Sequence, residues 1–185
     1  MPTMQPQQID AELTLRLPDP QRDAPAVLAA VCASQSEFYP WLPWATELQT
    51  ITAVTTWLQA GVTRTQAGET LELVIEARGQ VVGWIGLRHI DRWNRWAEVG
   101  YWLSTPMTGR GIMTRALRAM LDLSFTQQHL EKVILVAATD NRPSNRVAQS
   151  LGFQLDGTLR HNCRLADGYH DENEWSMLAT EWPQS

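Results

Sequence analysis

Cysteine, long apolar runs and basic clusters are all scarce in this chain. Only two of the 185 residues are cysteine, Cys32 and Cys163, and they lie far apart in the sequence. Such a pair forms neither a disulfide framework nor a cysteine zinc site, and it suits a reducing compartment. No segment approaches the roughly 20 apolar residues that span a bilayer, and the polar start, 1–10, has no signal-peptide pattern. These absences predict a cytoplasmic protein that does not bind a membrane.

Positive charge is limited as well. Lys and Arg number 15 against 20 Asp and Glu, so the formal net charge is −5. No basic run is long enough to follow a phosphate backbone, and nucleic acid is therefore not an expected partner. The four histidines show no metal-ligand spacing, and no Gly-x-Ser-x-Gly nucleophile elbow is present. We expect neither a metal ion nor a covalent enzyme intermediate.

Apolar periodicity predicts one α+β domain over 1–185, with a core from about 12 to 180. Helices are predicted at 24–34, with Pro25 in the first turn, at 50–67, from 112 onward, and at 143–150, where a left-handed Gly152 ends the helix. Strands are predicted at 12–17, 71–77, 81–88, 96–103 and 133–138, and on both sides of the Asp167–Gly168 turn. The result is a mixed, mostly antiparallel twisted sheet flanked by helices, with one βαβ crossover.

The most informative segment joins a strand to a helix and reads TGRGIMT over 108–114. Its glycines let successive backbone N–H groups face one concavity, and the helix dipole adds positive potential, which together make an anion site. A turn that only needs glycine is the alternative, and Gly-x-Gly alone does not decide between them. A P-loop would need a lysine that is absent, and a dinucleotide fingerprint would need Gly or Ala where Thr114 stands. The loop therefore predicts a phosphate or pyrophosphate ligand of another class.

Four motifs in order resemble the RimJ/RimL-type branch of the GNAT superfamily of N-acetyltransferases. They are AEVGYWL at 97–103, GRGIMT at 109–114, DNRPSN at 140–145 and LGF at 151–153, and the likeness covers about 13–178. The resemblance implies the GNAT fold and an acyltransferase that moves an acetyl group from acetyl-CoA to a primary amine. A protein or peptide N terminus is the leading acceptor. The alternatives are a small-molecule amine (a polyamine, antibiotic or amino acid) and a catalytically silent acyl-CoA-binding module. The resemblance also raises the expectation of a homodimer.

The same resemblance assigns the cofactor-binding residues. It implies that acetyl-CoA lies between two splayed strands, with its pantetheine on the strand backbone and its pyrophosphate on the loop. The strand residues are Tyr101, Trp102 and Leu103, and the loop residues are Gly109, Arg110, Gly111, Ile112, Met113 and Thr114. Thr108 stands where the superfamily has Gln or Arg, and Asn141 matches an asparagine that contacts the cofactor.

Two residues are predicted to perform the chemistry. Ser144 matches the family serine that protonates the departing thiolate, and a simple helix-capping role is its alternative. Glu98 is the leading general base, because it resembles the strand carboxylate beside the cofactor that serves as base elsewhere in the superfamily, and a structural glutamate is its alternative. RimL-like enzymes use a later glutamate, at the position where this chain has Cys163.

The aromatic stretch 38–44 contains Tyr39, Trp41 and Trp44. These rings are predicted to line the acceptor pocket, because Trp and Tyr hold amines and apolar stems by packing and cation–π contact. Anchoring in the core is the alternative.

Overall fold

Eight strands form one sheet in the computed structural model of the chain, which describes residues 5–183. The strands are β1 (Gln7–Gln8), β2 (Leu13–Arg16), β3 (Leu71–Ala77), β4 (Gln80–Asp91), β5 (Trp96–Leu103), β6 (Lys132–Ala138), β7 (Gln154–Leu165) and β8 (Gly168–Leu178). Their order across the sheet is β1-β2-β3-β4-β5-β6-β8-β7. Every neighbouring pair is antiparallel except β5 and β6, so the α+β class, the mostly antiparallel sheet and the single crossover are confirmed.

Five α-helices flank the sheet. They are α1 (Pro20–Cys32), α2 (Gln35–Phe38), α3 (Ile51–Ala67), α4 (Ile112–Thr126) and α5 (Arg142–Ser150), with short 3-10 helices at Pro43–Glu47 and Thr105–Met107. Because strand side chains alternate between faces, each face has its own core. Val99 of β5 packs in the core that contains α4, whereas Trp102 packs in the core that contains α1 and α3.

The parallel contact between β5 and β6 is short. It consists of the residue pairs Trp96–Lys132, Ala97–Val133 and Glu98–Ile134. Beyond these, β5 continues beside β4 to Leu103, and β6 continues beside β8 to Ala138. The two strands therefore separate, and we call the opening between 99–103 and 135–138 the wedge.

The sequence prediction was wrong about the start of the first helix. Helix α1 begins at Pro20 because Asp19 is its N-cap and accepts the N–H groups of Gln21 and Arg22 at 3.2 and 3.1 Å. Proline at the first helical position is favoured, since its missing N–H would have no helical partner there. Pro25 consequently lies inside the helix rather than in its first turn.

Two further differences are local. The strand β1 was not predicted, and the stretch 38–44 includes the end of α2 and the start of a 3-10 helix rather than being only a loop. The turn before β4 is formed by Arg78 and Gly79, both left-handed, with φ of 51° and 76°. Gly152 follows Leu151, the C-cap of α5, and has a left-handed φ of 81°, as predicted.

Candidate functional site

The backbone of β5 leaves hydrogen-bonding groups free along the wedge. The N–H of Ser104 donates to the carbonyl of Val82 at 2.8 Å, which points this residue toward β4. Because backbone groups alternate along a strand, Leu103 and Tyr101 direct their N–H and C=O groups away from β4 and into the wedge. An extended ligand that contains amides can pair with such an edge.

Trp102 lies between these two residues but faces the protein. By the same alternation its backbone groups point to β4, and its side chain is only 3% exposed. The indole packs edge-on against Phe38, with ring centroids 5.6 Å apart. The structure therefore places Trp102 beneath the site, while Tyr101 and Leu103 border it.

The loop before α4 presents free N–H groups. Gly109 and Gly111 have φ of 73° and 68°, a left-handed conformation that glycine adopts without a steric cost. Gly111 is the N-cap of α4, and no side chain caps the helix. Within 5–183, the N–H groups from Gly109 to Thr114 donate to no protein acceptor. Six free donors at the positive end of a helix fit a diphosphate.

The side chains of this loop contribute little to that concavity. Thr108 donates its hydroxyl to the carbonyl of Thr105 at 2.8 Å. Ile112 and Met113 are buried in the core, at 4% and 8% exposure, and Arg110 is exposed. The loop therefore offers an anion its backbone rather than a dedicated side chain.

Helix α5 starts at the wedge and is capped by Asn141. The Asn141 Oδ1 accepts the N–H of Ser144 at 3.2 Å, so the cap is Asn141, and Ser144 is the third residue of the helix. The hydroxyl of Ser144 lies 3.0 Å from the hydroxyl of Tyr101. Burial raises the pKa of Tyr101 to about 12, against which the hydrogen bond to Ser144 acts, so the phenol is protonated at neutral pH.

Asn145 fastens this helix to the sheet. Its Nδ2 donates to the carbonyls of Ala138 and Asn141 at 2.9 and 2.8 Å. Its Oδ1 accepts from Asn173 Nδ2 and Trp175 Nε1, both at 2.9 Å. One buried amide thus joins the end of β6 and the middle of β8 to the turn that carries Ser144.

Glu98 lies at the narrow end of the wedge, in the last residue pair that β5 makes with β6. Its Oε1 accepts from Arg88 Nε at 2.9 Å, and its Oε2 is 3.9 Å from His89 Nε2. The side chain is 14% exposed. By strand alternation Glu98 projects from the face opposite to Tyr101, so the structure places the two predicted catalytic groups on opposite faces of the wedge.

Comparison with known proteins identifies the family of this chain. The profile of the acetyltransferase (GNAT) domain matches residues 12–154. The chain belongs to this family. It is an N-acetyltransferase, an enzyme that transfers an acetyl group to an amine.

Three relatives have curated names. The chain is 28% identical over 181 residues to the putative ribosomal N-acetyltransferase YdaF of Bacillus subtilis, covering 94% of this chain and 95% of that protein. It is 28% identical over 148 residues to the ribosomal-protein-serine acetyltransferase of Escherichia coli, covering 80% and 83%. It is 32% identical over 98 residues to the spermidine N(1)-acetyltransferase of Escherichia coli, covering 53% of each.

Two solved structures share the fold. A probable acetyltransferase superposes with a TM-score of 0.90 and 27% identity, covering 96% of this chain and 98% of that one. Mycobacterium smegmatis RimJ in complex with CoA-disulfide superposes with a TM-score of 0.87 and 28% identity, covering 94% and 85%. The predicted RimJ/RimL-type GNAT family and fold are confirmed.

A row of aromatic rings crosses this acetyltransferase from the stretch 38–44 to β5. Trp44 stacks on Trp57 of α3 at 5.7 Å, and Trp57 tilts against Trp84 of β4 at 5.9 Å. Trp84 covers Gly86 and Gly100, where a Cβ would lie 2.7 and 3.8 Å from its ring. Trp44 is therefore anchored to the sheet, and the row ends over Gly100, two residues from Glu98 on the same face of β5.

The other two predicted acceptor residues lie outside that row. Tyr39 is 52% exposed, and Trp41 is half-buried. Sequence reasoning missed Trp84 and Arg88, although period-two alternation along β4 puts both on the face of Glu98.

Cys163 lies on β7 opposite His170 of β8. Burial first, and the charge of Glu172 second, raise the pKa of its thiol. This raised pKa is the reverse of the lowered pKa that activates a catalytic cysteine.

Within 5–183, no helix is long and apolar enough to cross a membrane. Over the same residues, no group of three His, Cys, Asp or Glu side chains is placed to hold a metal ion.

Proposed function

We propose that this acetyltransferase moves the acetyl group of acetyl-CoA to the α-amine of a protein or peptide N terminus, by direct attack on the thioester. The observation that carries the proposal is the wedge, with free strand backbone on one side, free loop N–H groups at one end, and Ser144 and Glu98 on opposite faces. Two relatives named as ribosomal acetyltransferases match most of the chain.

The backbone of the wedge suits a CoA ester. The amides of pantetheine can pair with the free groups of Tyr101 and Leu103, and the pyrophosphate can accept from the N–H groups between Gly109 and Thr114. Acetyl-CoA supplies an acetyl group activated as a thioester. The protein supplies an extended slot that fixes where this thioester lies.

The two faces of the wedge divide the chemistry. An amine that enters from the face of Glu98 attacks the carbonyl carbon, so that a C–N bond forms and the C–S bond breaks. Glu98 Oε2, or a water bound to it, accepts the proton that the amine loses, since Oε1 is already engaged by Arg88. Ser144 donates a hydrogen bond to the departing sulfur from the other face. The proton lost by the amine ends, over the whole reaction, on the thiol.

The choice of acceptor depends on how much of each amine is neutral near pH 7.5. An α-amine has a pKa of about 7.8 and is about one-third neutral at pH 7.5, whereas lysine, at about 10.4, is only about 0.1% neutral. Because the predicted base, Glu98, is already held by the Arg88 guanidinium, the site favours the amine that needs less deprotonation. An N-terminal amine fits that site better than a lysine side chain.

A polyamine is the second candidate acceptor. Ile134 pairs with both Glu98 and Ser176, so Glu174 and Glu172, two and four residues before Ser176 on β8, share the face of Glu98. Carboxylates on that face would attract a second positive charge on the acceptor. The matching stretch of the spermidine acetyltransferase supports the same candidate.

Competition between acceptors tests the proposal. Acetyl-CoA is offered with peptides that have free N termini, with the same peptides blocked at the N terminus but carrying lysine, and with spermidine. Mass spectrometry should find acetylation on free N termini, with the largest kcat/KM among these acceptors. A larger kcat/KM for spermidine would replace the peptide acceptor with a polyamine.

A substitution tests the role of Glu98. Glu98→Gln should lower kcat by about 10²-fold or more, the usual contribution of a general base. Glu69→Gln is the matched control, since Glu69 is exposed on the turn before β3. Equal kcat in both variants would make Glu98 a structural partner of Arg88.

Three further properties predicted from the sequence belong to the proposal. They are a cytoplasmic location, one domain with a core from about 12 to 180, and a homodimer. Analytical ultracentrifugation, with and without acetyl-CoA, measures the oligomeric state.

A further inference from the structure

The hydroxyls of Tyr101 and Ser144 meet across the wedge. Tyr101 belongs to β5 and Ser144 to α5, and their oxygens are 3.0 Å apart. The N–H of Ser144 is already taken by Asn141 Oδ1, so the Ser144 hydroxyl is the polar group this residue turns to Tyr101. The contact therefore couples the two sides of the wedge through a single pair of hydroxyls.

The hydrogens of this pair allow two arrangements. Each hydroxyl has one hydrogen to donate and can also accept. If Ser144 donates to Tyr101, Ser144 has no hydrogen left for a ligand in the wedge. If Tyr101 donates to Ser144 Oγ, the hydrogen of Ser144 is free to point into the wedge.

Geometry and charge favour the second arrangement. The other acceptor near the phenol is the carbonyl of Ser144 at 3.5 Å, which is beyond the usual range for an O–H donor. A sulfur that gains negative charge in the wedge attracts a hydroxyl hydrogen, because hydrogen bonds to charged acceptors are stronger than neutral ones. When Tyr101 donates to Ser144 Oγ and Ser144 donates to the sulfur, both hydroxyl hydrogens have an acceptor.

We propose that Tyr101 is a positioning residue for acetyl transfer, whose phenol donates to Ser144 Oγ and so leaves the Ser144 hydrogen for the departing CoA sulfur. This inference rests on the proposed function in placing the sulfur in the wedge. The sulfur keeps the electron pair of the broken C–S bond, and its proton comes from the amine. Tyr101 and Ser144 end the turnover with the hydrogens with which they began.

An equilibrium titration tests the inference without turnover. The thiol of bound CoA is titrated by its ultraviolet thiolate absorbance, with desulfo-CoA complexes as the blank. In the wild type, the donor should stabilise the thiolate and lower the titration midpoint of the bound thiol. Tyr101→Phe and Ser144→Ala should each leave about tenfold less thiolate at a fixed pH below the midpoint, a shift of about one unit. The double variant should match Ser144→Ala, because the two groups act as one chain.

Kinetics give the second readout. Tyr101→Phe should lower kcat about tenfold while KM for acetyl-CoA changes less than about twofold, since the bond forms to a developing charge. It should cause no further loss in the Ser144→Ala background. Tyr169→Phe is the control, because Tyr169 is 62% exposed. If Tyr101→Phe does not fold, the wild-type sequence can be made with 3-fluorotyrosine in place of tyrosine. Its phenol is more acidic and donates a stronger hydrogen bond, so the titration midpoint of the bound CoA thiol should fall further.

Four outcomes distinguish the inference from the proposed function. Additive effects of the two substitutions, or a wild-type thiol midpoint in Tyr101→Phe, would overturn the positioning role. A raised KM with unchanged kcat in Tyr101→Phe would also overturn it and leave Tyr101 as a binding residue. A non-additive thiol titration in an enzyme that acetylates no peptide would support the positioning role and reject the proposed acceptor.

Discussion

Replacing Asn145 with alanine should destabilise the enzyme by about 3 kcal/mol. The substitution removes four hydrogen bonds, two of which, to Trp175 Nε1 and to the Ala138 carbonyl, are buried. Each buried group left without a partner costs about 1–3 kcal/mol, whereas water can replace the other two bonds. For a chain of this size, about 3 kcal/mol corresponds to a fall in Tm of about 6–12 °C.

The assay is urea unfolding of the wild type, Asn145→Ala and Gln149→Ala, followed by circular dichroism. Gln149 lies exposed on the same helix, so its truncation should stay within about 0.5 kcal/mol of the wild type. The Asn145 variant should also lose kcat, because the turn that holds Ser144 is no longer tied to β8. A loss below about 1 kcal/mol would refute the view that this amide fastens α5 to the sheet.

Three further predictions follow from single contacts. Gly111→Ala should lower the free energy of unfolding by about 1–2 kcal/mol, because Gly111 has a left-handed φ of 68°. The same substitution should weaken acetyl-CoA binding, measured by calorimetry. Gly157→Ala is the control and should not lose stability, since Gly157 has no positive φ and open space at its Cβ. Asp23→Asn should cost about 3 kcal/mol in urea unfolding, because it breaks a buried pair with Arg16 at 2.7 Å. The folded pKa of Tyr101, about 12, exceeds the ordinary value of about 10, so its contribution to stability should be complete below pH 10 and lost between about pH 10 and 12. Urea midpoints over that range should fall more steeply for the wild type than for Tyr101→Phe.

Local pattern was enough to predict most of the sheet. The alternation of 96–103 and the turn residues Arg78 and Gly79 specify strand and hairpin within a few positions of the chain. The start of α1 was predicted too late because apolar periodicity was weighed above the Asp19 cap and Pro20. Both signals are local, so that error could have been avoided.

The site depended on longer-range information. Tyr101 and Ser144 are 43 residues apart, and only the folded register brings their hydroxyls together. Trp84 covers Gly100 because Gly86 and Gly100 pair across β4 and β5, which no single segment reveals. Resemblance to a family identified Ser144 and the loop 108–114. Only the pairing of strands and helices in the folded chain revealed which residues contact them.

The three residue pairs between β5 and β6 have a consequence for how the molecule opens. Strands β1 to β5 and strands β6 to β8 share so few backbone pairs that we expect them to open as two unfolding units within one sheet. In native-state hydrogen exchange, the amides of β6 and β8 should exchange through an opening that leaves β3 and β4 protected. A ligand that occupies the wedge contacts both units, so it should slow amide hydrogen exchange in both at once. The two units should then open together rather than separately.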